Sequence, residues 1–238
     1  MLTAILVLII IALGAAAYWA RRDFCAWIAL GKGGLPGNLR GWLTMTRFRL
    51  MKINPTDTSP LAGEIGGPAD AAYLDRLLER NGPRPTIAPW PIPHRQCDQF
   101  MATGIRRKLD MLFDDAVSKN AALVHYKQSY FEKHSDAITL CHPECGHADA
   151  RFGQGECAHI HPRDGSMHMI FSASDARKVL EAGWGEFHPL SGAIPLLPST
   201  YLYVYPPRDE IELGVVGQLL DASIAHMAKS QAGQVAAG

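Results

Sequence analysis

The sequence carries no excess of charge and no cysteine pattern typical of a disulfide scaffold. Lysine and arginine total 23 residues, and aspartate and glutamate also total 23, in a chain of 238. Because there is no basic stripe, the chain is not expected to bind nucleic acid. Its five cysteines are an odd number in no scaffold spacing, which indicates reduced thiols in a protein that faces the cytosol.

Internal repeats, low-complexity tracts and nucleotide-binding fingerprints are lacking as well. Glycine-rich stretches occur at 31–34 and 63–67. Neither lies between a predicted strand and a predicted helix, where a phosphate-binding loop would need it. The length allows one hydrophobic core of good size together with an extension.

One long apolar run is present, at the N-terminus. Residues 2–20 carry no charge, and at about 1.5 Å per residue they are just long enough to cross a bilayer. Tyr18 and Trp19 stand where an aromatic belt would lie, and Arg21 and Arg22 follow. The positive-inside rule therefore predicts a membrane anchor over 1–22 with the rest of the protein in the cytosol. A cleaved signal peptide is the alternative, although the run lacks a basic N-terminal region.

The segment 23–95 is predicted to be membrane-proximal and to wrap around the following domain. Bulky apolar and basic residues mix over 41–51, which is typical of a helix lying in the membrane interface or of one packed on the domain. A helical pattern covers 69–80. Prolines over 83–93 predict an extended connection.

The remaining chain, 96–229, predicts one α+β domain in which helices pack an antiparallel sheet, preceded by the transmembrane helix. Apolar spacing indicates a helix from Gln96 to about Ser118 and further helices after Ser172 and Pro206. Strands are predicted over 122–131, 137–140 and 198–205, with a hairpin at 157–171. The tail 230–238 is expected to be disordered.

The hairpin carries three histidines. Asp164-Gly165 is a strong signal for a hairpin turn. Side chains two apart on a strand share a face, so His159 and His161 point the same way. A turn centred on Asp164-Gly165 would place His161 directly opposite His168. Three groups that titrate near neutral pH would then lie together, which suggests a reaction centre.

Three interpretations of this face remain open, and a fourth histidine, His188, follows further along the chain. A His-x-His pair with a third histidine resembles the facial site that holds iron, copper or zinc in a metal-dependent dioxygenase or hydrolase. A neutral imidazole near another, or near Asp164, could instead act as an acid or base without metal. The histidines could also be hydrogen-bonded core residues.

The loop upstream of the hairpin offers a second candidate metal site. Cys141, Cys145 and His147 have a plausible zinc spacing, and Cys157 lies nearby, although the fourth ligand is unclear.

Aromatic residues near the histidines have two interpretations. Trp184 could stack on a substrate or fill the core at a helix end. Tyr201 and Tyr203 alternate on one strand and could line a pocket for an aromatic ligand or simply pack.

Several strings resemble the luciferase domain of the fungal luciferases. They are Ala-His-Ile-His at 158–161, the Asp-Gly-Ser turn with His168, the stretch 175–192 that contains Gly-Trp-Gly-Glu-Phe-His-Pro-Leu, and Tyr-Val-Tyr-Pro-Pro-Arg-Asp-Glu at 203–210. The resemblance extends to the N-terminal membrane segment and spans nearly the whole chain. The loop 141–147 departs from the family pattern.

This resemblance implies an oxygenase that acts on 3-hydroxyhispidin, an aromatic α-pyrone. Such an enzyme takes O2 as co-substrate, loses CO2 through a cyclic peroxide and releases caffeylpyruvate and light, with no metal, flavin or nucleotide as cofactor. On this chain the base and oxyanion partners would come from five residues: His159, His161, His168, Asp164 and His188. Arg163 would contact the pyrone oxygens and Met169 would help exclude water. A membrane-tethered binding protein without enzymatic activity is the alternative.

Overall fold

The computed structural model describes residues 1–229, and the predicted disordered tail lies outside the described residues. This part of the chain contains five α-helices and six strands. The helices are α1 (Leu2–Ala29), α2 (Leu39–Phe48), α3 (Ile105–Lys119), α4 (Ala173–Glu181) and α5 (Glu210–Ala228). The strands are β1 (Val124–Gln128), β2 (Asp136–Leu140), β3 (Glu156–Ile160), β4 (Met167–Ile170), β5 (Gly185–Phe187) and β6 (Tyr201–Val204).

The strands form a single antiparallel sheet in the order β1-β2-β3-β4-β6-β5. Helix α5 packs against β3 and β4, and α3 packs against α5. The predicted α+β class with an antiparallel sheet is therefore confirmed. Because strand side chains alternate, Met167 and Met169 of β4 enter the main hydrophobic core, while His168 between them points to the opposite face and a cavity.

The hairpin forms, but the predicted register is wrong by two residues. His168 pairs with His159, whereas the sequence predicted His161 as its partner. A shift of two residues returns every side chain to its original face. His159, His161 and His168 therefore still share one face, as predicted.

The loop of the hairpin explains the shift. Proline favours the first corner of a turn because its φ is already set, so Pro162 begins the turn earlier than Asp164-Gly165 alone would suggest. Gly165 has the left-handed φ of 71° that the end of the turn requires. The N–H of His161 then donates to Ser166 O at 2.8 Å, which leaves 162–165 as the loop.

The predicted helix over 69–80 is absent. The backbone N–H groups of Tyr73 and Leu74 donate to the buried carboxylate of Asp175, at 2.7 and 3.1 Å. The side chain of Lys178 donates to the carbonyl oxygen of Leu74. In a helix, these backbone N–H and C=O groups would bond within the segment. Here they bond to side chains of α4 instead, and the segment crosses α4 without regular secondary structure.

The helix predicted from Gln96 begins only at Ile105. Gly104 has a φ of 90°, and Gln96 pairs with Ile87 in an isolated bridge. The α4 prediction is confirmed: the Ser172 hydroxyl accepts the N–H of Asp175 as the helix cap.

The N-terminal helix is longer than its apolar run. Helix α1 is long and apolar enough to cross a membrane, and its most apolar window is not buried by the protein. Helix α2 packs Trp42 and Met45 against Trp27 and Trp90 in a small second core. Of the two interpretations of 41–51, packing on the protein is therefore observed.

Candidate active site

A cavity of about 530 Å³ lies over the sheet face that carries the hairpin histidines. The lining includes five histidines and a tyrosine, His94, His159, His161, His168, His188 and Tyr201, together with polar and charged residues such as Lys127, Glu132 and Lys133. Apolar lining includes Phe48, Phe131, Ile194 and Leu197. A cavity of this volume accommodates a small organic ligand.

Each hairpin histidine uses its Nδ1 atom to contact the protein. His168 Nδ1 lies 3.0 Å from the carbonyl oxygen of Leu202, and His159 Nδ1 lies 2.5 Å from Glu156 Oε1. Carbonyl and carboxylate oxygens only accept, so both Nδ1 atoms carry the proton in the neutral rings. Nε2 is then the atom with the lone pair in both histidines.

The third histidine, His161, is held in the same tautomer by the hydroxyl group of Ser166. Ser166 Oγ lies 2.6 Å from Asp164 Oδ1 and 2.8 Å from His161 Nδ1. The hydroxyl has a single proton, which it donates to the carboxylate. Its oxygen therefore accepts from His161 Nδ1–H, and the lone pair of His161 is also on Nε2. Asp164 thus orients His161 through Ser166.

The three rings crowd together on the cavity floor. Their centroids are 4.9–5.3 Å apart, and one ring nitrogen from each lies within 4.8 Å of the other two. Since every Nδ1 is hydrogen-bonded to the protein, the Nε2 atoms are the ring nitrogens left free to bind a ligand. His159 Nε2 is buried without a hydrogen-bond partner.

Burial lowers the pKa of two of the three rings. Desolvation, with neighbouring Arg95 and the other rings, lowers the pKa of His161 well below its usual value. Desolvation and the nearby His188 and His159 act likewise on the pKa of His168. Both rings are therefore neutral at pH 7, and their lone pairs are available to a ligand.

Two glutamates lie beside the histidine face. Glu132 lines the cavity, pairs with Arg95 and lies 3.9 Å from His161 Nε2. Glu156 accepts from the Ser129 hydroxyl and the Tyr130 N–H. Sequence analysis identified neither glutamate, since neither lies at a periodic position beside the histidines.

His94 is a further residue that the sequence did not reveal. It arrives from the proline-rich segment and stacks on Tyr203 with ring centroids 4.1 Å apart. Both of its ring nitrogens are buried without hydrogen bonds, and Nε2 is 3.5 Å from Glu186. A histidine among prolines has no periodicity that would place it over a sheet.

His188 also reaches the cavity. Its Nδ1 accepts the N–H of Leu190 at 3.1 Å, and one of its ring nitrogens lies within 4.8 Å of a nitrogen of His94 and a nitrogen of His168. Tyr201 stacks on His168 with centroids 4.6 Å apart and also lines the cavity.

Other predicted site residues lie elsewhere. Met169 is in the hydrophobic core on the opposite sheet face. Trp184 is buried and donates its Nε1–H to Leu78 O at 2.6 Å. Arg163 is exposed and donates to Ala29 O. Tyr203 lies behind His94, with its hydroxyl 3.3 Å from Asp164.

The loop that contains Cys141 and Cys145 does not assemble with Cys157. Within residues 1–229, three groups of possible metal ligands are close enough to share an ion, and none contains a cysteine. His147 joins Asp149 and His226 instead. His226 Nε2 lies 3.0 Å from Asp149 Oδ2, and His147 Nδ1 lies 3.2 Å from the same oxygen.

Asp149→Asn is expected to lower the free energy of unfolding at pH 7 by about 1.5–3 kcal/mol, the contribution of a hydrogen bond to a charged group. Burial alone would raise the pKa of Asp149, but its contacts with His147 and His226 outweigh burial and hold the pKa below the usual value. A lowered carboxyl pKa stabilises the fold above the unfolded value of about 3.9, and this contribution is lost as the pH falls further. Urea unfolding should therefore show a similar difference at pH 7 and pH 5 and a smaller one at pH 3. A constant difference would contradict this.

Comparison with known proteins adds to this geometry. The family model of the Luciferase domain matches residues 154–223. The chain is 32% identical to a luciferase of Armillaria mellea over 234 residues, which cover 92% of this chain and 85% of that protein. It is 30% identical to a luciferase of Neonothopanus nambi over 229 residues, covering 90% and 84%. No solved structure matches the chain significantly.

Proposed function

Since this chain belongs to the fungal luciferase family, we propose that it oxidises 3-hydroxyhispidin or a related enolic α-pyrone with O2 in the histidine-lined cavity. One molecule of O2 is added and one of CO2 is lost, so the reaction needs no external electron donor, flavin or nucleotide. The observation that carries this proposal is the face of His159, His161 and His168, whose rings lie together on the floor of a cavity of substrate size and have Nε2 atoms free of hydrogen bonds to the protein.

The chemistry requires the enol to lose a proton before it can react with O2. A lone pair on Nε2 can receive that proton directly, and a cation held by the three lone pairs would acidify the enol instead. Both routes need neutral rings held in one tautomer. Glu156, Ser166 and Leu202 O supply that restraint.

The cavity walls suit a peroxide route to products. Phe131 and Leu197 on the wall, and Tyr201 stacked on His168, place apolar surface beside the floor. Such walls exclude water, which would divert a reactive intermediate. An aromatic pyrone could also stack on these rings.

We further propose that α1 anchors the protein in a membrane with the sheet domain on the cytosolic side. The apolar window of α1 is not covered by protein, and Arg21 and Arg22 follow it. The positive-inside rule places those arginines in the cytosol. A hydrophobic substrate dissolved in the bilayer would then be close to the cavity.

One experiment tests these proposals together. The full chain, expressed in cells, should remain in the membrane fraction after alkaline carbonate extraction. That fraction should consume O2 and release an equal amount of CO2 when 3-hydroxyhispidin is added, with light as a further readout. An N-terminally shortened protein in the soluble fraction would indicate a cleaved signal peptide. Binding of the pyrone without O2 uptake would show a binding protein and contradict the proposed reaction.

A further inference from the structure

We infer that His159, His161 and His168 bind one divalent transition-metal ion through their Nε2 atoms. The inference rests on the proposed function only for the role of the ion, and the site itself is argued from geometry. It departs from the cofactor-free reaction that the family resemblance implies.

The restraint on each Nδ1 atom is the first argument. Histidines that bind a metal through one nitrogen usually donate the other N–H to a carboxylate or a backbone carbonyl, which orients the ring. Here the three partners are the Glu156 carboxylate, the Leu202 carbonyl and the Ser166 hydroxyl. Each of the three rings therefore has the additional hydrogen bond that orients a metal-binding histidine.

The closeness of the three rings is the second argument. Three nitrogens bound to an ion at about 2.0–2.1 Å lie roughly 3–3.5 Å from one another. One nitrogen from each ring lies within 4.8 Å of the other two, so small movements of the rings of about 1–2 Å would bring three nitrogens to metal-binding distance. His159 Nε2 is buried without a hydrogen-bond partner, and a bound cation would satisfy it.

The balance of buried charge is the third argument. Glu132 is paired with Arg95. The carboxylates of Glu156 and Asp164 are nearly completely buried, and histidines are their only ion-pair partners within residues 1–229. A divalent ion bound by the three rings would place positive charge close to both carboxylates.

The ligand set indicates the class of ion. Imidazole nitrogens select iron, cobalt, nickel, copper or zinc, whereas magnesium and calcium prefer oxygen. Three ligands on one side leave coordination positions open toward the cavity. An enol oxygen bound there would lose its proton more readily, because the ion stabilises the developing negative charge.

The wild-type chain provides the first test. The full chain, purified in detergent without chelators, should hold close to one equivalent of a transition metal by elemental analysis. After removal of the ion with a chelator, Co(II) alone should bind at one equivalent and give visible d–d absorption.

Matched variants locate the site. His159→Ala removes a ligand and should weaken Co(II) binding more than about 100-fold, and Glu156→Gln keeps the ligand but should weaken binding about 10–100-fold. His147→Ala, which alters the separate group with Asp149 and His226, should leave the absorption unchanged. Thermal unfolding of each variant shows that it is folded.

The outcomes separate this inference from the proposed function. Less than a tenth of an equivalent of any transition metal in protein that turns over at full rate, with no Co(II) absorption, would overturn the metal site and leave the reaction standing. Loss of the absorption in His147→Ala alone would overturn the assignment to the cavity. One tightly bound ion without O2 uptake would support the site and overturn the proposed reaction.

Discussion

His161→Ala and His168→Ala are each expected to lower O2 consumption with 3-hydroxyhispidin by about 10²–10⁴-fold, the usual contribution of a positioned acid, base or ligand. Both rings are neutral, fixed in one tautomer and directed into the cavity. Alanine removes the Nε2 lone pair whether that atom takes a proton or holds a metal ion. Turnover would be measured with an oxygen electrode at saturating substrate.

A control separates this effect from general damage to the fold. His142 is an exposed histidine in the loop before β3, and His142→Ala should retain full turnover. Thermal unfolding of all three variants should show a cooperative transition. If both cavity variants turned over at the wild-type rate, the histidine face would not be the reaction centre.

The sharing of one face by the three histidines could be predicted from the sequence because strand side chains alternate with a period of two. The register of the hairpin could not be predicted, since it depends on where the chain turns. The turn begins at Pro162, earlier than predicted, so His168 pairs with His159 instead of His161. An error of two residues preserves the face, which is why the predicted cluster is present despite the wrong pairing.

The rest of the site comes from residues distant in sequence. His94 and Arg95 follow the proline-rich segment, and Glu132 follows β1. Their positions depend on how those segments cross the sheet, which no local pattern encodes. Trp184 and Met169 are the opposite case. Each is close in sequence to cavity residues, but its side chain points into the hydrophobic core.

The segment 69–80 shows tertiary contacts overriding local preference. Leu74, Leu77 and Leu78 have the spacing of an amphipathic helix. Leu74 and Leu77 are indeed buried, so the pattern correctly indicated which side chains pack. The secondary structure differs because Asp175, about a hundred residues later, accepts the N–H groups of Tyr73 and Leu74. A single buried carboxylate thus holds the wrapping segment on the domain.

Asp175→Ala is therefore expected to destabilise the protein strongly. The carboxylate is fully buried, and alanine leaves two N–H groups without an acceptor. Each unsatisfied group costs about 1–3 kcal/mol, so the free energy of unfolding should fall by roughly 2–6 kcal/mol, a large share of a typical domain's 5–15 kcal/mol. Urea unfolding followed by circular dichroism measures the loss.

Two further variants show whether the carboxylate acts through these bonds. Asp175→Asn keeps one acceptor oxygen and should lose less stability than the alanine variant. Asp115→Ala removes an exposed aspartate from α3 and should change stability by less than about 0.5 kcal/mol. If the segment is held by Asp175, limited proteolysis of Asp175→Ala should cut first within 70–80, before the sheet domain is degraded. Equal stability of Asp175→Ala and wild type would show that apolar packing of Leu74 and Leu77 alone holds the segment in place.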